Sequence, residues 1–209
     1  EANQVDGIIS GSHNLGIEDY NRVTAPIIAF DRNLSPEIPV VSSDNYAGGV
    51  LAAETLAKTG AKKIIMITGN DNSNSPTGLR HAGFASVLPE AQIINVSSDY
   101  SPIRKEMEIK QILTHQKPDA IFASDDLTAI LIMKVAKELE LQIPQDLKVI
   151  GYDGTQFIEN YTPELTTIQQ PLKDIAILMV DLLLQKIEGK KVTTTGYFLP
   201  VSLHSGKSV

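Results

Sequence analysis

Short runs of isoleucine and valine alternate with segments of helical period along almost the whole chain, and this alternation constrains the fold most. The runs are short and nearly continuous in apolar residues, which is typical of parallel strands covered on both faces. Strands that alternate with helices predict a doubly wound α/β fold with parallel sheets. The predicted strands are Val5–Ser10, Ile27–Asp31, Val40–Ser42, Lys63–Thr68, Gln92–Val96, Ala120–Ala123, Lys148–Gly151 and Thr166–Ile168.

The segments between these strands carry apolar stripes at helical spacing. Carboxylates precede the stripe that begins at Leu127, as suits a helix N-terminus, and Gly60 and Gly189 are stop signals after two other stripes. The predicted helices are Asn45–Lys58, Leu79–Leu88, Leu127–Glu140 and Leu172–Glu188.

The length of 209 residues lies between one domain and two, since a domain has about 150 residues. The five predicted strands from Lys63 to Ile168 suffice for one small domain, whereas only three precede Gly60. The helix Leu172–Glu188 follows the five-strand block with few strands of its own. The sequence therefore predicts two intimately connected lobes, with a chain that crosses between them more than once.

Composition excludes several classes of protein. Hydrophobic residues make up 42% and charged residues 21%, which is ordinary for a globular chain. No apolar run reaches the roughly 18 residues of a membrane span, and no signal peptide is visible at the start. The absence of cysteine excludes a disulfide scaffold and thiol catalysis, and it fits a reducing compartment. A net charge of −7 argues against binding of nucleic acid by this segment alone, so the expected ligand is small.

Enzyme chemistry finds little support. There is no G-x-S-x-G motif, and the four histidines lie far apart in the sequence. Histidine pairs and acidic loops of the kind that bind metals are also missing, so neither a metal nor a cofactor is expected. Asp125 and Asp126 are adjacent, whereas the carboxylates of a glycosidase flank the bond from facing elements roughly 5 to 9.5 Å apart. The sequence predicts a protein that is not an enzyme.

Aspartates recur at the ends of predicted strands, which is where ligands bind in open α/β sheets. Each has a structural alternative, because Asp44 and Asp125 can cap the helices that follow them, and Asp31 and Asp153 can close turns. Four carboxylates at the same topological place favour an acidic rim that accepts hydrogen bonds from hydroxyl groups.

Arg80 and two tyrosines extend this candidate site. Arg80 lies near the start of a predicted helix and offers a fork of donors, although an arginine there is by default a solvated charge. Tyr100 and Tyr152 offer aromatic faces for a sugar ring, with packing in the core as the commoner role of a tyrosine. Together these side chains suit a polyhydroxylated ligand.

Seven motifs occur in a fixed order along nearly the whole chain. They are VDGIIS at Val5–Ser10, APIIAFDR at Ala25–Arg32, SSDNYAGG at Ser42–Gly49, LRHAGF at Leu79–Phe84, AIFASDDLTA at Ala120–Ala129, IPQDLKVIGYDGT at Ile143–Thr155 and PELTTIQQP at Pro163–Pro171. This ordered set resembles the effector-binding region of the LacI/GalR family of bacterial sugar-responsive repressors. Two blocks, IPQDLKVIGYD and LTTIQQP, favour a repressor over a periplasmic sugar-binding protein of an ABC transporter, which remains the alternative.

The resemblance implies a periplasmic-binding-protein-like fold, in which three crossovers join two Rossmann-like lobes and the effector lies in the cleft. The expected N-terminal lobe is 1–60 plus 172–196, and the expected C-terminal lobe is 61–171 plus 197–209. Relatives carry a helix-turn-helix, a hinge and the opening strands and helices of the first lobe before the motif VDGII. We therefore expect the first lobe to be incomplete at its N-terminus, and operator DNA to be bound only through the missing N-terminal domain.

The resemblance also assigns residues to the sugar site. FDR, SDN and GYDGT look most like the ribose-responsive branch, with sucrose- and fructose-responsive repressors close behind, so ribose is the expected effector. The implied protein is a cytoplasmic homodimer whose cleft closes on the sugar and alters operator affinity. The positions that match sugar-holding residues are Asp31, Asp44, Arg80, Asp125, Asp153 and Gln170, and those that match packing surfaces are Tyr100, Tyr152 and Leu172.

Overall fold

The computed structural model describes residues 5–11, 20, 23–69 and 75–209. Within these residues, strands and helices alternate, and the predicted α/β fold with parallel sheets is confirmed. The strands are β1 (Ile8–Ser10), β2 (Ile27–Phe30), β3 (Val40–Ser43), β4 (Ile64–Thr68), β5 (Gln92–Asn95), β6 (Ala120–Ala123), β7 (Lys148–Asp153), β8 (Thr166–Gln169), β9 (Gly196–Leu199) and β10 (Ser202–His204). The helices are α1 (Asn45–Ala57), α2 (Pro76–Val87), α3 (Pro102–Gln111), which continues into a π-helical turn (Ile112–Gln116), α4 (Asp126–Glu138), α5 (Gln156–Tyr161) and α6 (Leu172–Ile187).

The chain divides into two compact units, each made of two stretches of sequence. Unit 1 is Glu1–Asp44 with Pro171–Pro200, and unit 2 is Asn45–Gln170 with Val201–Val209. These boundaries differ from the sequence-based lobes by one residue at Pro171 and by longer stretches at two other points. Helix α1 lies in unit 2 because it packs closely on α2, and β9 lies in unit 1 because it pairs in parallel with β3.

Unit 1 contains a four-stranded parallel sheet in the order β1-β2-β3-β9. Successive residues of a strand face opposite sides of a sheet. Accordingly Ile27 and Ala29 pack into one apolar cluster, while Ile28 packs on the other side with Val41 and α6. Both faces of this sheet are therefore buried, as the continuous apolar runs predict.

Unit 2 contains a six-stranded sheet in the order β10-β8-β7-β6-β4-β5, in which only β10 is antiparallel to its neighbour. Ile65 and Ile67 of β4 face α3 and α4, whereas Ile64 and Met66 face α1 and α2. The five parallel strands are the five predicted from Lys63 to Ile168. Their carboxyl ends all lie along the same edge of the sheet.

The C-terminal residues are part of unit 2. The Ser208 hydroxyl, which is buried, donates to the carbonyl of Val149 on β7 at 2.6 Å and accepts from the N–H of Thr166 on β8 at 2.8 Å. The N–H of Val149 in turn donates to the Ser208 carbonyl at 2.8 Å. The tail thus satisfies backbone groups of two core strands.

No helix in the described part of the chain is both long enough and apolar enough to cross a membrane.

Candidate functional site

The candidate site of unit 2 lies at the carboxyl ends of its parallel strands. Strand β4 is flanked by β5 and β6, so the chain leaves β4 to one side and returns to the other. This reversal of strand order leaves a crevice at the carboxyl ends, where ligands of doubly wound folds bind. Ser124 follows β6, Asp153 ends β7 and Gln170 follows β8 at this edge.

Arg80 contacts four other residues at this edge. Its Nε donates to the Asn45 side-chain oxygen at 2.8 Å, and its Nη1 donates to the Ser124 carbonyl at 2.6 Å. Its Nη2 lies 3.7 Å from a carboxylate oxygen of Asp153, and its guanidinium carbon lies 3.6 Å from the ring centroid of Tyr152. Arg80 is only 6% exposed, so the alternative of a solvated charge is wrong.

Arg80 is held in place by close packing of α1 against α2. A Cβ at Gly49 of α1 would overlap the Arg80 carbonyl oxygen and would lie 2.8 Å from the Phe84 nitrogen. In the reverse direction, a Cβ at Gly83 of α2 would overlap the carbonyl oxygen of Tyr46. Two glycines on facing helices therefore allow the backbones to touch, and this approach sets the position from which Arg80 reaches the sheet edge.

Asp153 and Gln170 form the second half of the cluster. The Gln170 side-chain amide donates to Oδ1 of Asp153 at 2.7 Å, and the Gln170 backbone N–H donates to the Asp153 carbonyl at 3.0 Å. The Asp153 side chain is 34% exposed, whereas Gln170 is buried. A partly exposed carboxylate between an arginine and an amide presents the donors and acceptors that sugar hydroxyl groups require.

Asp125 caps α4, which is one of the two roles that its position predicts. Its Oδ1 accepts from the Thr128 backbone N–H at 2.8 Å, and its Oδ2 accepts from the Thr128 hydroxyl at 2.8 Å. Such a cap satisfies an N–H group that has no partner within the helix. Asp125 follows Ser124, whose carbonyl binds Arg80, so the cap lies next to the cluster along the chain.

Asp126, the first residue of α4, is buried and points into unit 2. Its two carboxyl oxygens accept from the Gly154 N–H at 2.8 Å and from the Thr167 hydroxyl at 2.6 Å. Burial raises the pKa of Asp126 to about 6. The neighbouring carboxylates of Asp153 and Asp125 also raise this pKa, whereas the two hydrogen bonds lower it. Asp125 and Asp126 therefore have different partners and different surroundings.

The two predicted tyrosines of unit 2 have different environments. Tyr152 is fully buried, with Arg80 over its ring and the Phe122 ring centroid 6.5 Å away, so it packs in the core. Tyr100 is half-buried against the α3–α4 side of unit 2, and the Arg104 guanidinium carbon lies 3.5 Å from its ring centroid. Both rings are thus contacted by an arginine, one inside the unit and one near its surface.

The three remaining predicted site residues belong to unit 1. Asp31 has a φ of 62° and accepts from the Ser42 hydroxyl at 2.7 Å, which fits a carboxylate that closes a turn. Asp44 follows β3, and its backbone N–H donates to the Leu199 carbonyl at 2.8 Å. Leu172 begins α6 and is 36% exposed.

The structure therefore joins Arg80, Tyr152, Asp153 and Gln170 of the predicted set through direct contacts. Sequence reasoning missed Asn45, the Ser124 carbonyl and Asp126. Asn45 directly follows Asp44, and Asp126 directly follows Asp125, so no sequence pattern distinguishes either residue from its neighbour. In the described residues, no cluster of three or more His, Cys, Asp or Glu side chains has the arrangement of a metal site.

Comparison with known proteins adds a family and relatives to this geometry. Residues 53–209 match the family model of the periplasmic binding protein-like domain. The sucrose operon repressor of Streptococcus mutans is 64% identical over 209 residues, which cover 100% of this chain and 65% of that protein. The ribose operon repressor of Halalkalibacterium halodurans is 35% identical over 202 residues, which cover 95% of this chain and 61% of the relative. The chain thus spans less than two thirds of the length of these repressors.

Among solved structures, a periplasmic binding protein/LacI transcriptional regulator from Alkaliphilus metalliredigens superposes with a TM-score of 0.87 at 30% identity. The match covers 98% of this chain and 78% of that one, and the regulator is complexed with D-xylulofuranose.

Proposed function

The chain belongs to the periplasmic binding protein-like family of domains, and on that premise we propose that it is the effector-binding core of a sugar-responsive transcriptional repressor of the LacI/GalR type. The observation that carries the proposal is the cluster of Arg80, Asp153 and Gln170 at the carboxyl ends of the unit 2 strands. The relatives at 64% and 35% identity are named as operon repressors, which supports a repressor over a transport protein or an enzyme.

The effector that we propose is a sugar related to sucrose. The sequence motifs favoured ribose, but the sucrose operon repressor of S. mutans is 64% identical, against 35% for the ribose operon repressor. The sugar bound by the A. metalliredigens regulator, D-xylulofuranose, supports a site for furanose rings. Within this proposal, Asp153 accepts hydrogen bonds from sugar hydroxyls and Gln170 orients Asp153. The positive charge of Arg80 balances the negative charge of Asp153.

The other predicted residues keep their proposed places at the sugar. We propose that Asp31, Asp44 and Asp125 also accept hydrogen bonds from the sugar, as the resemblance implies. Tyr100 and Leu172 are proposed as apolar contacts. Tyr152 is proposed to act from beneath, as the support of Arg80, because its ring is buried.

Operator binding, dimer formation and location follow as parts of the same proposal. A net charge of −7 is unsuited to DNA phosphates, so we assign operator contacts to sequence that the longer relatives contain beyond the matched region.

A homodimer is supported by Phe157 and Tyr161 of α5, which are 63% and 74% exposed with ring centroids 4.7 Å apart. Exposed aromatic side chains are typical of protein interfaces. Because a repressor acts on DNA, we propose that the protein is cytoplasmic.

Thermal unfolding with a panel of sucrose, fructose, glucose, sucrose 6-phosphate and ribose tests the proposal. A ligand present at about 100 times its Kd stabilises the folded state by about 2.7 kcal/mol. For a chain of this size, that corresponds to an increase in Tm of roughly 5–10 °C. Asp153→Asn should lose the shift, while Asp146→Asn, whose carboxylate lies in an exposed loop, should keep it. If no sugar of the panel raises the Tm of the unaltered chain, the proposal fails.

A further inference from the structure

The buried carboxyl group of Asp126 lies beneath the candidate site rather than in it. Asp126 is 2% exposed, and it accepts from the N–H of Gly154 at 2.8 Å and from the hydroxyl of Thr167 at 2.6 Å. Gly154 directly follows Asp153, and Thr167 is the second residue of β8. One side chain of α4 thus binds both the end of β7 and the strand beside it.

Strand β7 leaves a space for this carboxyl group. A Cβ at Gly151 would overlap Oδ1 of Asp126, and it would also lie 3.3 Å from the Cβ of Ala129. Any larger residue at Gly151 would therefore displace the carboxyl group from its two partners. The fit between a glycine of the strand and an aspartate of the helix is a second observation, independent of the hydrogen bonds.

Asp126 contacts the Asp153–Gly154 corner, by which we mean the turn of backbone at these two residues, and the conformation of that backbone is unfavourable. Asp153 has a φ of 122° and Gly154 a φ of 58°, so two successive residues adopt positive φ. Positive φ costs a non-glycine residue free energy, and it persists only where surrounding contacts impose it. The contacts here are the Gly154 N–H on Asp126 and the Gln170 N–H on the Asp153 carbonyl at 3.0 Å. The Asp153 side chain leaves this corner toward Arg80 and Gln170.

We propose that Asp126 is a positioning residue of the effector site, which fixes the Asp153–Gly154 corner so that the Asp153 carboxylate faces Arg80 and the sugar. The inference rests on the proposed function, since it assigns Asp153 to the sugar. Asp126 itself makes no contact with the effector, and it acts through the Gly154 N–H.

The charge of Asp126 makes this role measurable. Its pKa is raised to about 6 by burial, and the facing charged groups are Asp153 on β7 and Asp125 in the preceding position, while β8 contributes the neutral Thr167. A hydrogen bond to an ionised carboxylate is roughly twice as strong as one to a neutral group. The corner is therefore held more firmly above about pH 6 than below it.

The first experiment measures Kd for whichever sugar of the panel binds, at about pH 5 and about pH 7.5, on either side of this pKa. Asp126→Ala should weaken binding about tenfold or more, as loss of a hydrogen bond to a charged group does. Asp126→Asn can still accept from Gly154 and donate to Thr167, so it should bind about threefold to tenfold more weakly than the unaltered chain at the higher pH. At the lower pH this difference should vanish. Asp146→Ala, which also removes an aspartate that accepts from a backbone N–H, is the matched control and should leave Kd unchanged.

The second experiment needs no sugar. The amide resonance of Gly154, followed by NMR, should shift with pH around 6 in the unaltered chain and should not do so in Asp126→Asn. If the sugar binds the unaltered chain and Asp126→Ala equally well, or if the Gly154 resonance is insensitive to pH in this range, the positioning role is wrong while the proposed function stands. If no sugar binds the unaltered chain but the Gly154 resonance titrates, the proposed function fails and Asp126 only anchors the corner, which overturns the inference as well.

Discussion

Removal of Arg80 should destabilise unit 2 far more than removal of Arg104, an exposed arginine that contacts a tyrosine ring in a similar way. Both Arg80 and Arg104 lie over a tyrosine ring, with guanidinium carbons 3.6 and 3.5 Å from the ring centroids. The Arg80 side chain is 8% exposed, whereas that of Arg104 is 56% exposed and pairs with Glu108 at 3.7 Å. The variants Arg80→Met and Arg104→Met keep the apolar stem and remove the charge in each place.

The magnitudes follow from the partners that each arginine leaves. Arg80→Met takes a donor from two buried oxygens, those of Asn45 and Ser124, and each loss costs about 1–3 kcal/mol. The pair with Asp153 adds little because Asp153 is partly exposed, and release of a desolvated guanidinium offsets part of the loss. We expect a net loss of about 3 kcal/mol in the free energy of unfolding. For Arg104→Met, an exposed ion pair and an exposed cation–π contact together give about 1 kcal/mol or less.

Urea unfolding of both variants, followed by circular dichroism under identical conditions, measures this difference. In thermal unfolding the same losses correspond to roughly 6–12 °C for Arg80→Met and less than about 4 °C for Arg104→Met. Equal losses for the two variants would show that the buried hydrogen bonds of Arg80 are not what stabilises this edge of the sheet, and the reasoning would be refuted.

Three further predictions concern other parts of unit 2. Gly49→Ala should force α1 and α2 apart and lower the free energy of unfolding by about 1–3 kcal/mol, whereas Gly69→Ala, whose new Cβ would lie 3.9 Å from the Cβ of Ser98 in ordinary van der Waals contact, should cost less than about 1 kcal/mol in urea titrations. The raised pKa of Asp126 contributes about 3 kcal/mol of stability that is present below about pH 4 and is lost as pH rises through about 6, so Asp126→Asn should be the more stable protein at neutral pH and the two curves should converge in acid. Ser208→Ala should cost about 1–3 kcal/mol because the N–H of Thr166 loses its acceptor, and an unchanged Tm would contradict that role for the tail.

The elements that the sequence predicted well are those with a local apolar pattern. Strand β6 has the predicted bounds Ala120–Ala123, and α6 ends within one residue of its predicted end. Helix α3 was missed because Ile103 and Met107 are exposed and leave no stripe that faces the core. Strands β9 and β10 were missed because they are short and depend on pairing with β3 and β8, which are far away along the chain.

The candidate site was predictable in its residue types but not in their surroundings. Asp125 and Tyr152 took the structural alternatives that their positions allowed, as a helix cap and a core ring. The burial of Arg80 depends on Asn45 and Ser124, which lie 35 and 44 residues away in the sequence. No local pattern reports such partners, and for the same reason Asp126 could not be separated from Asp125 before the fold was known.

The discontinuous composition of the two units has a consequence for synthesis of the protein. Unit 1 includes β9, and unit 2 includes Ser208. Each unit therefore lacks part of its structure until residues well beyond its longer stretch of sequence have been synthesised. Domains generally fold as units during translation, beginning with the N-terminal one. Here neither unit is complete until residues 196–208 have been synthesised, so the two units complete their folding close together in time. Until then the backbone groups of β3, β7 and β8 that later bind these residues are open to wrong strand pairing, and to chaperones.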